Sequence, residues 1–183
     1  MPSDPSSSIE VTIDADDWHR IVTAPEQHCL NAAAHALICG AAETGLSWLT
    51  QDGVEMSILL TNDATIEQLN AEHRGLAKPT NVLSFPMLDS EELSALRPDG
   101  ATPILLGDVI LAAETIATEA ASQAKAPNDH LTHLVIHGVL HLLGYDHECD
   151  DEAALMEDLE RKILAKMGIA DPYAFAGQRQ EAG

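Results

Sequence analysis

Aromatic side chains are nearly missing from this 183-residue chain, which has two each of Trp, Tyr and Phe, 3% in all. Its core must therefore come from Leu, Ile, Val, Met and many alanines, and a hydrophobic content of 45% is enough for a folded globule. Trp18 and Trp48 have no aromatic neighbours in sequence. That excludes a base-stacking platform and leaves core anchoring as their reading. Positive charge is scarce too. Nine Lys and Arg stand against thirty Asp and Glu, a formal net charge of −21, and none of the nine lies between Ile21 and His73. Phosphate binding normally leaves a basic footprint, so this balance argues against a nucleic-acid partner. No run approaches the roughly 18 apolar residues that a membrane span requires. The start, Met1 to Ser8, has neither a basic cluster nor an apolar core. It reads as a disordered tail over residues 1–8 and not as a secretory signal. Cys29, Cys39 and Cys149 are odd in number, widely spaced and fit no zinc-ribbon or redox pattern, which points to a reducing cytoplasm.

What is present is organised as a single domain over residues 9–173, of a size that gives an ordinary core. Ile9, Val11 and Ile13 alternate with polar residues and predict a strand, as do Val54, Met56, Ile58 and Leu60. Further strands are expected at 81–85 and 105–111. Pro25-Glu26 opens a helix with Leu30, Leu37 and Ile38 on one face. A shorter helix follows at 64–73, another at 113–124, and Pro127-Asn128-Asp129 caps one that carries His130 to Leu143. The last helix, 151–167, has acids at its start and Arg161, Lys162 and Lys166 towards its end, matching the helix dipole. Its expected buried stripe is Leu155, Leu159, Ile163 and Met167. Residues 88–103, with acids, Pro98 and Gly100, read as a mobile loop, and 174–183 as a C-terminal tail. The fold class is α+β: a small mixed four-stranded sheet packed with about five helices, the histidine helix in the core layer.

The chemistry lies in His137-Gly138-Val139-Leu140-His141-Leu142-Leu143-Gly144-Tyr145-Asp146-His147. Positions i and i+4 share a helix face, so His137 and His141 can grip one ion from the same side. Gly144 stands where the helix would stop, because glycine takes the left-handed cap conformation without steric cost. The chain can then fold back and bring His147 to the same point. Three neutral imidazoles with a fourth position open are the signature of a catalytic zinc. Cys149, two residues further on, would close the site as a fourth ligand and is set aside. Asp146 reads either as an acid that orients a ligand imidazole or as an Asx-type cap. Asp108 reads as structural, with the same imidazole-holding alternative. His133 reads as packed or solvent-facing, or a phosphate contact, but not a ligand; His130 reads as a surface residue.

Metzincin peptidases share this histidine spacing but need a glutamate directly after the first histidine as general base. Here that residue is Gly138, which cannot move a proton. The chain from Ile9 to Tyr173 instead resembles the YbeY family of endoribonucleases, the rRNA maturation factors. The resemblance rests on His137 to His147, on Arg74-Gly75 with Lys78-Pro79-Thr80 and Val82 to Pro86, on Leu106-Gly107-Asp108, and on Asp171-Pro172-Tyr173. One departure is Asn81, where an aspartate is usual; Asn keeps the shape and an acceptor.

The resemblance implies a single-strand-specific, zinc-dependent ribonuclease that matures ribosomal RNA, above all the 3′ end of the small-subunit species, with a role in ribosome quality control. It implies single-stranded RNA, ribosomal proteins and an assembly GTPase as partners. By the same resemblance His137, His141 and His147 bind one zinc ion and Arg74 is a functional residue, so the catalytic assignments are Arg74 and His137. Guanidinium matches phosphate bidentately, which suits Arg74 to hold a phosphate; Lys78 is a weaker candidate. Zinc lowers the pKa of bound water towards about 7, and the hydroxide then attacks phosphorus or takes a proton from a neighbouring 2′-hydroxyl. A local positive cleft of zinc, Arg74 and Lys78, with the acids facing elsewhere, would reconcile the net charge with RNA. The rival readings are a metzincin-like zinc peptidase or hydrolase, and a non-catalytic ribosome assembly factor with structural zinc.

Overall fold

The alternating apolar residues at the start of the domain form the edge strand β1 (Ser8–Ile13). The structure, a computed structural model, describes residues 8–50, 53–99 and 102–174. Most of the two expected tails, residues 1–7 and 175–183, lies outside the described residues. Trp18 opens the single-turn helix α1 (Trp18–Ile21). It is fully buried and donates its indole N–H to Thr61 O at 2.9 Å, so it anchors the core as its isolation in sequence suggested. Pro25 then starts α2 (Pro25–Thr44). The buried face of α2 is made of alanines, Ala32, Ala33, Ala36 and Ala41, with Leu37. Ile38, expected on that face, is 60% exposed. Small side chains let α2 lie close to its neighbour, and that need decides which face turns inward.

A 3-10 turn (Ser47–Thr50) leads to β2 (Val54–Thr61), whose Val54, Met56, Ile58 and Leu60 all point into the main core. Asn62 accepts the Thr65 N–H at 2.9 Å and so caps α3 (Asp63–Arg74). β3 (Val82–Pro86) follows, then α4 (Ser90–Ala95). This helix sits in the stretch expected to be a mobile loop. Asp89 accepts the Glu92 N–H at 2.8 Å and Glu92 accepts the Asp89 N–H at 2.9 Å, a complete capping box. Leu93 is 1% exposed. A helix this short has little stability of its own, and burying one leucine, about 1.5–3 kcal/mol, is what holds it down.

The chain continues through β4 (Ile104–Ala112), α5 (Ala113–Ser122), α6 (Pro127–Leu142) and α7 (Asp150–Lys166). Pro127 is the first residue of α6, so Pro127-Asn128-Asp129 form its first turn and Ala126 precedes it without a side-chain cap. On α7 the buried face is Met156, Leu159, Ile163 and Leu164 together with Glu160, while Leu155 is 55% exposed. Leu159 and Ile163 are buried as expected and Met167 packs partly buried on the core, but Met156 is buried where Leu155 was expected. Strand order is β1-β2-β4-β3; β2 runs parallel to β1 and β4, and β3 closes the far edge antiparallel to β4. The mixed four-stranded sheet stands as expected. Seven helices occur among the described residues, the two beyond the expected five being the short α1 and α4. None is long and apolar enough to cross a membrane.

α6 packs on α2, β3 and β4, in the core layer. Val135, Ile136, Val139 and Leu140 of α6 are fully buried. A Cβ at Gly40 of α2 would stand 2.6 Å from Leu143 Cδ1 and 3.1 Å from Leu140 Cδ2, so this glycine sets the close approach of the two helices. Another face of the same C-terminal end of α6, carrying His137 and His141, lines a cleft.

Candidate metal centre

The end of α6 is shaped by Gly144, whose φ of 88° is left-handed. Its N–H donates to His141 O at 3.0 Å and the Tyr145 N–H to Leu140 O at 3.1 Å, the pair of bonds of a Schellman cap. The Tyr145 hydroxyl donates to Gly40 O at 3.2 Å and ties the turn to α2. The chain reverses and presents His147 to the face that carries His137 and His141. One ring nitrogen from each lies within 4.8 Å of the others, and the two Nε2 atoms of His137 and His141 are 3.1 Å apart. A tetrahedral ion with nitrogen ligands at roughly 2.0–2.1 Å places them about 3.3–3.4 Å apart. The triad can hold a metal ion.

Its chemistry fits that role as well. Burial first, then the charges of His137 and His147, pushes the His141 imidazolium down to a pKa of about 4. At neutral pH the ring therefore offers a lone pair. His137 Nδ1–H donates to Glu160 Oε1 at 2.6 Å, which frees Nε2 to face the triad. Burial alone would raise the Glu160 carboxyl, but hydrogen bonds from His133 and His137, and their charges, outweigh it and hold the group at about 2. Glu160, the acid behind His137, was not singled out from the sequence. Its signal was an acid inside the apolar stripe of a helix, between Met156 and Leu164.

The acids considered from sequence do other work. Asp146 accepts the His147 backbone N–H at 2.7 Å, a bond to the next residue that is not the Asx-type cap expected from sequence. Asp108 is exposed and takes a hydrogen bond from Ser57, its register partner across β2 and β4, the structural alternative. His133 is half-buried, with Nε2 3.1 Å from Glu160 Oε2, a packed histidine and not a ligand. His130, expected at the surface, is 4% exposed, because its Nε2 lies 2.8 Å from Glu119 Oε2 under α5. Cys149 precedes α7, exposed and outside the ligand cluster.

The triad opens into a cleft of about 570 Å³ whose walls include Arg74, Thr80, Asn81 and Ser84. Arg74 ends α3, beside the left-handed Gly75. Among the lining residues it is the one Lys or Arg; Lys78 is not on the wall, and Asp89, Asp146 and Glu148 are. The acids do not all face elsewhere, so the positive end of this cleft is narrow.

Comparison with known proteins decides the kinship. The family model described as Endoribonuclease YbeY matches residues 16–168. The chain belongs to the YbeY family. An Endoribonuclease YbeY of Rhodospirillum rubrum is 52% identical over 150 residues, 81% of this chain and 74% of that one. The protein of that name from Azorhizobium caulinodans is 47% identical over 93% of this chain and 98% of its own, and one from Paramagnetospirillum magneticum is 50% identical over 91% and 96%. A solved structure, that of TM1509 from Thermotoga maritima, matches with a TM-score of 0.49 and 18% identity, covering 90% of this chain and 98% of that one. Within the YbeY motif, Gly138 has a physical reason. A Cβ there would lie 2.6 Å from Val109 Cγ1 and 3.2 Å from Ser84 Oγ, whose hydroxyl donates to Gly138 O at 3.1 Å. A glutamate at this position would drive α6 off the sheet, so the base of a metzincin has no room here.

Proposed function

We propose that this chain is a single-strand-specific, zinc-dependent endoribonuclease acting in rRNA maturation, at the 3′ end of the small-subunit RNA, and in ribosome quality control. The observation that carries the proposal is the convergence of three imidazole nitrogens on the wall of a cleft whose one lining cation is Arg74. His137, His141 and His147 would hold the ion. When bound, zinc supplies Lewis acidity there, acidifying water and offsetting charge on a phosphate oxygen. Arg74 binds a phosphate of the strand and neutralises charge as it builds on phosphorus. Glu160 keeps the proton of His137 on Nδ1, away from the cleft. Thr80, Asn81 and Ser84 give the wall polar groups for an RNA strand.

So few positive groups predict weak binding to free RNA. Each phosphate contact on a single strand contributes roughly −0.7 to the slope of log affinity against log salt. One or two contacts give a shallow dependence, and docking then falls to the ribosome, through ribosomal proteins and an assembly GTPase. The test is cleavage of defined single- and double-stranded RNA by the metal-loaded protein, with and without chelator, casein serving as the peptidase control. Single-stranded cutting that chelator abolishes is the expected result; casein cutting, or chelator-insensitive RNA cutting, overturns the proposal. Arg74→Ala is expected to keep its metal and lose roughly 10²-fold or more in turnover, the scale of one lost donor to transition-state charge. Unchanged turnover would remove Arg74 from the mechanism.

A further inference from the structure

Glu160 is fully buried on α7. A carboxylate survives there only when its oxygens are engaged. Oε1 accepts from His137 Nδ1 at 2.6 Å, and Oε2 accepts from His133 Nε2 at 3.1 Å and from the Tyr173 hydroxyl. The last donor comes from the turn that follows α7, far outside the histidine motif. That turn is pinned around the hydroxyl. The Tyr173 N–H donates to Asp171 Oδ1 at 2.8 Å, and Arg161 Nε pairs with Asp171 at 3.4 Å. The guanidinium of Arg161 also lies 5.0 Å from the centroid of the Tyr173 ring, which meets His133 edge-on at 5.5 Å.

We propose that Glu160 and Tyr173 are positioning residues of the metal centre: Tyr173 and His133 fix the Glu160 carboxylate so that it accepts the hydrogen bond from His137 Nδ1–H and aims the Nε2 lone pair at the triad. The inference rests on the metal reading of His137, His141 and His147. A neutral imidazole carries one proton, and the acceptor at one nitrogen decides which nitrogen is left to ligate. With Oε2 held by two donors, the carboxylate cannot swing its other oxygen away from His137. Carboxylates placed behind a ligand histidine typically change metal affinity by 10- to 100-fold. Coupling is reciprocal, so metal at the triad in turn tightens the docking of the turn that carries Tyr173.

The experiment measures zinc affinity of the full chain by competition with a chromogenic chelator, and the visible spectrum of the cobalt-loaded protein. The variants are Glu160→Gln, Tyr173→Phe and His137→Ala. Glu160→Gln is expected to weaken zinc roughly 10- to 100-fold, and Tyr173→Phe about 3- to 10-fold, the scale of one typical hydrogen bond. Both are expected to shift the cobalt bands, which a merely structural role would leave alone. Tyr173→Phe keeps the ring and its contacts, so it decides by itself if Glu160→Gln does not fold. Wild-type affinity and spectrum in Tyr173→Phe and in any folded Glu160→Gln, with binding lost in His137→Ala, would overturn the inference. Full zinc affinity in His137→Ala would instead sink the triad reading on which it rests.

Discussion

The two halves of α6 carry the same residue at nearly the same spacing and use it differently. His130 and His133, in the first half, have their Nε2 atoms against carboxylates, Glu119 at 2.8 Å and Glu160 at 3.1 Å, and both Nδ1 atoms are buried without a partner. His137 and His141, in the second half, have Nε2 atoms that face each other at 3.1 Å across the edge of a cleft. Helical periodicity cannot separate the pairs. The difference lies in what the rest of the fold brings to each ring. α5 and α7 supply acids that consume the outer nitrogen of the first pair, whereas the Schellman turn at Gly144 brings His147 to the second. A histidine is placed to ligate here where its outward nitrogen meets other imidazoles and an open cleft in place of a carboxylate.

The sharpest way to break this contrast is to remove one ring from each half. His141→Ala is expected to lower zinc affinity by more than 10²-fold and RNA cleavage to background, since two imidazoles cannot complete the site. His130→Ala is expected to keep one zinc per chain and lose about 1–3 kcal/mol of stability, because it leaves Glu119 short of a donor. Metal analysis and urea unfolding of both variants provide the check. Equal loss of metal in the two would show that the halves are not distinct.

Acid sharpens the same comparison. The His141 ring titrates at about 4 in the fold, against 6.5 ordinarily, through burial and then the charges of His137 and His147. Below about 6.5 the unfolded chain takes up a proton there that the folded chain refuses, so stability is full above 6.5 and falls as pH drops towards 4. Glu160, held at about 2 against 4.5, contributes above 4.5 and is lost as pH falls towards 2. Urea midpoints of chelator-treated protein are expected to be level from pH 8 to 6.5 and to decline below. His141→Ala should shrink the decline between 6.5 and 4, while a profile unchanged by that substitution would contradict the assignment.

Much of this arrangement was legible in the sequence, and the misses share a cause. β2, α3 and the turn at Gly144 follow from local rules: alternation, an asparagine cap, a glycine at the helix end. α4 also had a local signal, the Asp89–Glu92 capping box, which acids, Pro98 and Gly100 around it obscured. The face of α7 is another matter. Successive residues differ by about 100° on a helix, so Leu155 and Met156 are both near the edge of one stripe. The partner surface chooses between them, and it leaves Leu155 55% exposed. Glu160 was out of reach for a related reason. Sequence neighbours of the motif, Asp146 among them, were natural candidates to orient a ligand, yet the acid that does so is 23 residues from His137. Only the packing of α7 on α6 joins them.

Asn81 carries the comparison to the smallest effect. The resemblance makes an aspartate usual there, and asparagine keeps its shape and acceptor. The structure shows that the donor matters too. Asn81 Oδ1 accepts the Val82 N–H at 2.7 Å, while Nδ2 donates to Glu119 at 3.0 and 3.2 Å, the same carboxylate that holds His130. Asn81→Asp would remove that donor and set two carboxylates face to face. A like charge raises the pKa of one of them in the fold, so the loss grows as pH rises above the ordinary carboxylate range and vanishes below it. About 1–2 kcal/mol at pH 7 is the expected loss, the scale of one hydrogen bond to a charged group, with near wild-type stability at pH 4. Adding Glu119→Gln gives the introduced carboxylate a donor again and should recover most of the difference, which a double-mutant cycle in urea reads directly. If Asn81→Asp is as stable as wild type at pH 7, the first half of α6 does not depend on its carboxylate partner in the way the second half depends on open space.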